Sequence, residues 1–169
     1  PLPSPAAAWS RRFAVVPAGR RSGKTEIAKR RLVIGLPVKK LWCDPRYFAA
    51  APTREQAKRV YWNDIKALVP EKWVKKVYES DLCVTTKYKS ELWVLGMDRP
   101  ERIEGTPWDG GVLDEYANMK PNAWTENIRP ALADRSGWCW FVGVPEGLNH
   151  YKDLADYAGS GGDDDWGLY

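Results

Sequence analysis

Histidine occurs once in the 169 residues, at His150, and cysteine three times, at Cys43, Cys83 and Cys139. These four side chains are scattered and show no zinc-ligand spacing. Nor do they suggest a disulfide framework, so the expected compartment is a reducing one. Long apolar runs are missing as well. Nothing approaches the roughly 20 apolar residues of a membrane helix. The first residues, Pro1 to Trp9, lack the apolar core of a signal peptide. The expectation is a soluble, intracellular protein with no membrane partner. No internal repeat is present.

What the chain does contain is the composition of a globular domain: 44% hydrophobic and 28% charged residues, enough for one real core. Ten tryptophans are unusually many. Some should fill the core, and others are expected to form a surface that meets a partner. The net charge of +4 is mildly basic and suits a polyanion partner. It is spread unevenly. Basic residues crowd the start, from Arg11 and Arg12 to Arg31, and Asp163 to Asp165 sit near the end. Lys29-Arg30-Arg31 reads either as a solvated helix face or as a DNA-contacting patch.

The most informative stretch is Ala18-Gly19-Arg20-Arg21-Ser22-Gly23-Lys24-Thr25. An apolar strand candidate, Phe13 to Val16, precedes it, and a helix candidate, Glu26 to Leu36, follows it. Strand, Gly-rich loop, Gly-Lys-Thr and helix is the P-loop context. The residues from Gly19 to Thr25 would bind a nucleotide. Small residues let backbone N–H groups curl round a phosphate, and the helix N-terminus adds unpaired N–H groups and a positive dipole end. Lys24 would reach the β- and γ-phosphates of ATP, and the Thr25 hydroxyl would ligate Mg²⁺. The usual pattern opens with glycine, and here that position is Ala18. Trp9 and Phe13 are aromatic residues that either stack on adenine or belong to the core.

Further along, Tyr47 to Ala51 reads as a second strand, stopped by Pro52-Thr53. Thr53 with Gln56 makes a capping box, and Ala57, Val60, Tyr61, Ile65 and Leu68 mark the apolar face of the helix it opens. Arg54, Lys58, Arg59 and Lys66 lie mostly off that face, where they either track a phosphate backbone or are simply exposed. Residues 73–95 are β-rich with a turn at Lys87 to Ser90, and read as a hairpin added to the sheet. Then a short apolar strand ends in Asp114-Glu115. Downstream of a P-loop, this pair reads as the second half of a nucleotide site. Asp114 would hold Mg²⁺ directly or through water, and Glu115 would orient and deprotonate the attacking water. A helix after Pro121 puts Trp124, Ile128 and Leu132 on one face, and Trp138 to Gly143 suits a strand buried on both faces. The loop from Gly143 to His150 leaves that strand at its C-terminal end, the edge that carries ligands in open α/β sheets. Asn149 and His150 in it reach either the γ-phosphate or DNA, or serve structure alone.

Taken in order, Gly-Arg-Arg-Ser-Gly-Lys-Thr, Ala-Pro-Thr-Arg-Glu-Gln-Ala-Lys, Val-Leu-Asp-Glu-Tyr and Gly-Val-Pro-Glu-Gly-Leu-Asn-His-Tyr resemble the ATPase half of the large terminase subunit of tailed bacteriophages. That family's motor packages double-stranded DNA into a procapsid. The resemblance spans residues 13 to about 157. It implies an α/β P-loop NTPase fold: a mostly parallel central sheet flanked by helices, of the additional-strand type, with the catalytic glutamate on an added central strand and a β-hairpin insertion. It implies ATP and Mg²⁺ as cofactors. The partners implied are double-stranded DNA, a ring of identical copies assembled on a portal protein, and a small terminase subunit, at work in the host cytoplasm. Arg20 matches the family's P-loop arginine, proposed to contact the γ-phosphate in cis. Gly143, Val144 and Pro145 match its coupling motif.

Two departures are visible. Val144 stands where relatives often carry a hydroxyl, so its side chain cannot hydrogen-bond the γ-phosphate or water. Many relatives have an arginine just before the glycine at Gly105, used in trans by a neighbouring subunit, and here that residue is Glu104. Arg102 is the nearest substitute, with Arg99, Arg129 and Arg135 as other candidates. Three parts are expected: an arm over 1–12, the ATPase domain over 13–158, and a Gly- and Asp-rich tail or linker over 159–169. The family's nuclease carboxylates come from a separate domain, and Asp163 to Asp165 lack the rigid frame to replace them. The rival readings are a helicase-like DNA-dependent ATPase and a nucleotide- or DNA-binding module without turnover.

Overall fold

The computed structural model describes residues 11–144 and 147–169. Eight strands form one sheet: β1 (Phe13–Pro17), β2 (Arg46–Ala51), β3 (Val74–Tyr78), β4 (Cys83–Thr86), β5 (Glu91–Gly96), β6 (Gly110–Asp114), β7 (Trp138–Gly143) and β8 (Trp166–Leu168). Their spatial order is β3-β4-β5-β2-β6-β7-β1-β8. Every pairing from β5 to β8 is parallel, and β4 runs antiparallel to both its neighbours. Strand β7 therefore separates the P-loop strand β1 from β6, which is the additional-strand arrangement. The expectation for the glutamate changes in one detail. Glu115 follows β6, and the inserted strand β7 carries no acid.

Side chains alternate across this sheet with period two, as strands require. Ala14, Tyr47, Ala49, Val112, Trp140 and Val142 point into one core. Phe13, Val15, Phe48, Ala50, Leu113 and Phe141 point into the other. The first core is closed by α1 (Lys24–Gly35) and α2, a continuous helix in three segments, Arg54–Ala57, a π-helical turn Lys58–Trp62, and Asn63–Leu68. The second is closed by α3, made of a π-helical stretch Ala123–Ile128 and the helix Arg129–Ala133, and by α4 (His150–Gly159). Trp124, Ile128 and Leu132 face inward, as their spacing predicts. The Thr53–Gln56 capping box forms with both reciprocal bonds.

Aromatic residues fill the second core. Phe13 meets Trp124 edge-on at 5.2 Å, Trp124 meets Phe141 at 4.7 Å, and Phe141 stacks on Trp166 at 5.5 Å. Such pairs add to the stability gained from area alone. Gly111 is required here, because a Cβ on it would come within 2.2 Å of the Phe48 ring. Phe13, 2% exposed, is core and has no face left for adenine. Trp9 lies outside the described residues. Every described tryptophan is buried or partly buried, so the expected tryptophan surface does not exist among them.

Three regions differ from the sequence reading. The β-rich segment is a three-stranded meander whose last strand, β5, pairs in parallel with β2 from Arg46↔Glu91 to Ala51↔Gly96. Only β3 and β4 are an addition. The tail is a linker in composition, yet Trp166–Leu168 adds an edge strand beside β1. The burial of Trp166 offsets the glycines before it. The two charged ends also meet. Arg11 pairs with Asp164 at 3.0 Å, Arg12 lies 3.8 Å from Asp165, and Phe13 N–H donates to the Asp165 carbonyl at 2.8 Å. Asp163 accepts the Tyr157 hydroxyl at 3.0 Å.

The basic triplet of α1 is neither a uniform solvated face nor a patch. Lys29 is buried, bonding Glu26 at 2.7 Å and also Asp64 of α2. The Arg31 guanidinium lies 4.6 Å over the Trp138 ring. Only Arg30 is exposed.

Candidate active site

Strand β1 ends at Pro17, and the chain turns through 18–23 into α1. Ala18 is buried, and its N–H donates to the Gly143 carbonyl at 3.0 Å. A small side chain suffices there. This bond also ties the mouth of the loop to the end of β7, at the first residue of the proposed coupling motif. Gly23 closes the loop at φ 83°, a left-handed conformation natural only to glycine, and Ile27 N–H returns to its carbonyl at 3.1 Å. Arg21 also sits at positive φ, 62°.

Around this loop lies a cavity of about 350 Å³ at the C-terminal edge of the sheet, with Arg20, Lys24, Thr25, Asp114, Glu115 and Val144 on its walls. Residues brought from three strand ends thus share one space. Asp114 is 5% exposed and makes three hydrogen bonds. Its Oδ2 accepts the Thr25 hydroxyl at 3.1 Å and the Tyr61 hydroxyl at 2.9 Å, and its Oδ1 accepts Glu115 N–H at 2.9 Å. Glu115 stands at φ 52°, which costs a non-glycine residue on the order of 1–2 kcal/mol. That turn leaves Glu115 exposed while Asp114 is buried.

The loop fits a Mg²⁺-nucleotide on its own features. A Cβ built on Gly19 or Gly23 meets nothing within 4 Å, so the curl has room beside its backbone. The Ser22 hydroxyl is buried without a partner among the described residues. Among the described residues, Lys24 Nζ donates only to the Gly19 carbonyl, at 3.2 Å. Arg20, Arg21 and Lys24 pair with no acid among the described residues. The Thr25 proton goes to Asp114, which leaves its lone pairs open to a cation. Among the described residues no cluster of three or more His, Cys, Asp or Glu forms a metal cage. Mg²⁺ held by one or two protein oxygens plus phosphates needs none.

Other expected residues fall elsewhere. His150 Nε2 donates to the Tyr116 carbonyl at 3.0 Å, and Asn149 Oδ1 caps α4 by accepting from Tyr151 and Lys152 N–H. Both are bonded within the fold. Val144 lines the cavity, Gly143 ends β7, and Pro145 lies outside the described residues. Arg102 is exposed on the short turn Pro100–Ile103 and lines a different cleft, of about 460 Å³, beside β5. Arg135 is withdrawn as a trans arginine, because its guanidinium pairs with Asp44 at 2.8 Å and with fully buried Asp109 at 3.0 Å. Arg54 donates to the Ser80 carbonyl and Lys66 pairs with Glu79 at 2.8 Å. Lys58 and Arg59 are exposed.

Tyr61 escaped the sequence reading because it sits correctly on the apolar face of α2. Its burial pushes the phenol well above its usual pKa, with the Asp114 charge adding to the effect. The phenol therefore remains a donor across the ordinary pH range. A hydroxyl-bearing residue on an otherwise aliphatic stripe was the only available signal.

No model of a protein family matches the chain. Two curated relatives, the large terminase subunits of Thermus phage G20c and Thermus virus P23-45, are each 35% identical over 65 residues, 38% of this chain. The match spans only 13% of either relative's length. Among solved structures, the large terminase ATPase domain of Thermus phage P74-26 superposes with a TM-score of 0.76 at 24% identity, covering 91% of this chain and 68% of that one. The large terminase of bacteriophage HK97 gives 0.77 at 18% identity, over 94% of this chain and 35% of that one. The large terminase of a thermophilic bacteriophage, solved in complex with ADP, gives 0.65 at 16% identity over 81% and 34%. The fold is the one seen in large terminase ATPase domains, and a 65-residue segment is similar in sequence to two large terminase subunits. Among the described residues no helix is long and apolar enough to cross a membrane.

Proposed function

We propose that this chain is the ATPase domain of a large terminase, a Mg²⁺-dependent motor that hydrolyses ATP to move double-stranded viral DNA into a procapsid. The observation that carries this reading is the 3.1 Å bond between Thr25 of the P-loop helix and Asp114 at the end of β6, with Lys24 and Glu115 on the same cavity. That juxtaposition of the P-loop helix with the end of β6 supports the reading.

In this reading backbone N–H groups from Gly19 to Gly23 hold the phosphates, and the Ser22 hydroxyl gains a partner there. Lys24 exchanges its bond to the Gly19 carbonyl for phosphate oxygens. Thr25 and Asp114 would hold Mg²⁺, which would supply positive charge to offset that of the phosphates. Glu115 takes a proton from the attacking water. The oxygen of that water bonds to the γ-phosphorus, the bond to the bridging oxygen breaks, and ADP leaves. Arg20 offsets the charge that develops on the transferred group. Val144 contributes packing but no hydrogen bond, so the link to movement runs through backbone, through the Ala18–Gly143 contact.

The partners follow from the same reading: duplex DNA as cargo, a ring of identical copies on a portal, and a small terminase subunit, in the host cytoplasm. Arg102, exposed and outside the cavity wall, would serve a neighbour's site. A phosphate-release assay with and without duplex DNA tests the proposal. Hydrolysis that requires Mg²⁺ and rises with duplex DNA supports it. Hydrolysis stimulated by single strands with strand separation would favour a helicase-like motor. Nucleotide binding without turnover would leave a binding module.

A further inference from the structure

We propose that Tyr61 is a positioning residue for the metal-binding carboxylate, an inference that rests on the nucleotide reading above. A carboxylate offers about four lone-pair sites. On Asp114, the hydroxyls of Thr25 and Tyr61 occupy both sites of Oδ2, and Glu115 N–H takes one on Oδ1. One site remains, on Oδ1. Tyr61 thereby fixes which oxygen of Asp114 is open to the metal or to a water bound to it.

Helix α2 is shaped to deliver this contact. Its π-helical turn, Lys58–Trp62, contains Tyr61, which is fully buried. π-turns shift side-chain direction within a helix and recur at functional sites. The neighbouring wall is built from the same helix. Gln56, Arg59 and Val60 line a small recess with Asp114 and Glu115. A helix with no P-loop residue is thus bonded to the Mg²⁺ side of the site. The Thr25 hydroxyl would face both Asp114 and the cation, whereas the Tyr61 hydroxyl has Asp114 as its one side-chain hydrogen-bond partner among the described residues. It is the side-chain constraint on Asp114 that would not itself touch the metal.

The test compares wild-type protein, Tyr61→Phe and Lys24→Ala, using ADP binding by calorimetry in EDTA and across a Mg²⁺ titration. Thermal melting checks folding. Groups that orient a metal ligand typically change metal affinity by roughly 10- to 100-fold. Tyr61→Phe should bind ADP in EDTA within about twofold of wild type and need roughly 10- to 100-fold more Mg²⁺ to reach half-maximal enhancement. An unchanged Mg²⁺ requirement in a folded Tyr61→Phe protein would overturn the inference and leave the nucleotide reading standing. Wild-type protein that binds no nucleotide, or Lys24→Ala that binds as well as wild type, would overturn both. A second measurement avoids the variant altogether. With fluorotyrosine in the wild-type sequence, the ¹⁹F resonance of residue 61 should shift when Mg²⁺ is added to the ADP complex. A resonance that does not respond would also overturn the inference.

Discussion

Lys24 and Lys29 lie on one helix, little more than a turn apart, and their surroundings are opposite. Lys29 is buried against Glu26 and Asp64, a charge matched inside the fold. Among the described residues Lys24 reaches only a backbone carbonyl, and it opens onto a cavity shared with Arg20 and Arg21. Elsewhere the same contrast holds. Arg46 pairs with Asp44 and Glu91, and Arg135 with Asp44 and Asp109. These three charges hold the fold with acids beside them. The three cations of the P-loop have none among the described residues, which is the arrangement an incoming polyanion requires. The difference separates substitutions that should remove function from those that should lower stability.

The largest effect is expected from Lys24→Ala. It should abolish phosphate release and most nucleotide affinity while melting like wild type, because no charge partner is lost from the fold. Near-normal turnover would refute the P-loop assignment. Next comes Glu115→Gln. The amide keeps the shape and cannot accept a proton, so turnover should fall by roughly 10²–10⁴ with Mg²⁺-ATP binding retained. Loss of binding with chemistry intact would make Glu115 a structural acid. Arg20→Ala follows. It should lower turnover by more than it weakens ATP binding, since the cation acts on charge that develops during transfer. Equal losses in both would make Arg20 a ground-state binding residue.

Lys29→Met should have the smallest effect, and of the other kind. Methionine keeps the apolar stem packing. The ion pairs lost involve Glu26 and Asp64, which are 56% and 54% exposed, so screening limits their worth. A loss of about 1 kcal/mol in stability is expected, with hydrolysis unchanged. Denaturant unfolding and phosphate release measured on the same preparation check both parts.

Local signals in the sequence were enough for much of this. The P-loop, the Asp114-Glu115 strand end, the Thr53–Gln56 cap and the inward face of α3 each depend on residues close in sequence, and each appears in the fold. What escaped depends on distant pairing. The spacing around Lys29 marks an exposed basic run until Asp64 of another helix comes beside it. The pairing of β5 with β2 joins segments whose own patterns fit an isolated hairpin equally well. Strand β8 has three residues after a Gly- and Asp-rich stretch, and it is fixed by Trp166 entering an aromatic core built elsewhere. In the site, Tyr61 reads as one more apolar residue because its ring does pack in the core. Only its hydroxyl belongs to Asp114.

The most direct measurement is a thermal-shift comparison of wild type, Lys24→Ala and Lys29→Met, each with and without saturating Mg²⁺-ADP. A ligand present at 100 times its Kd adds about 2.7 kcal/mol to stability, a rise of about 5–10 °C for a domain of this size. Wild type and Lys29→Met should both show that rise, with Lys29→Met starting from the lower baseline. Lys24→Ala should start at the wild-type baseline and show almost no rise. An equal ligand shift in all three proteins, or a Lys24→Ala baseline well below that of Lys29→Met, would contradict the division between charges that hold the fold and charges kept open for the nucleotide.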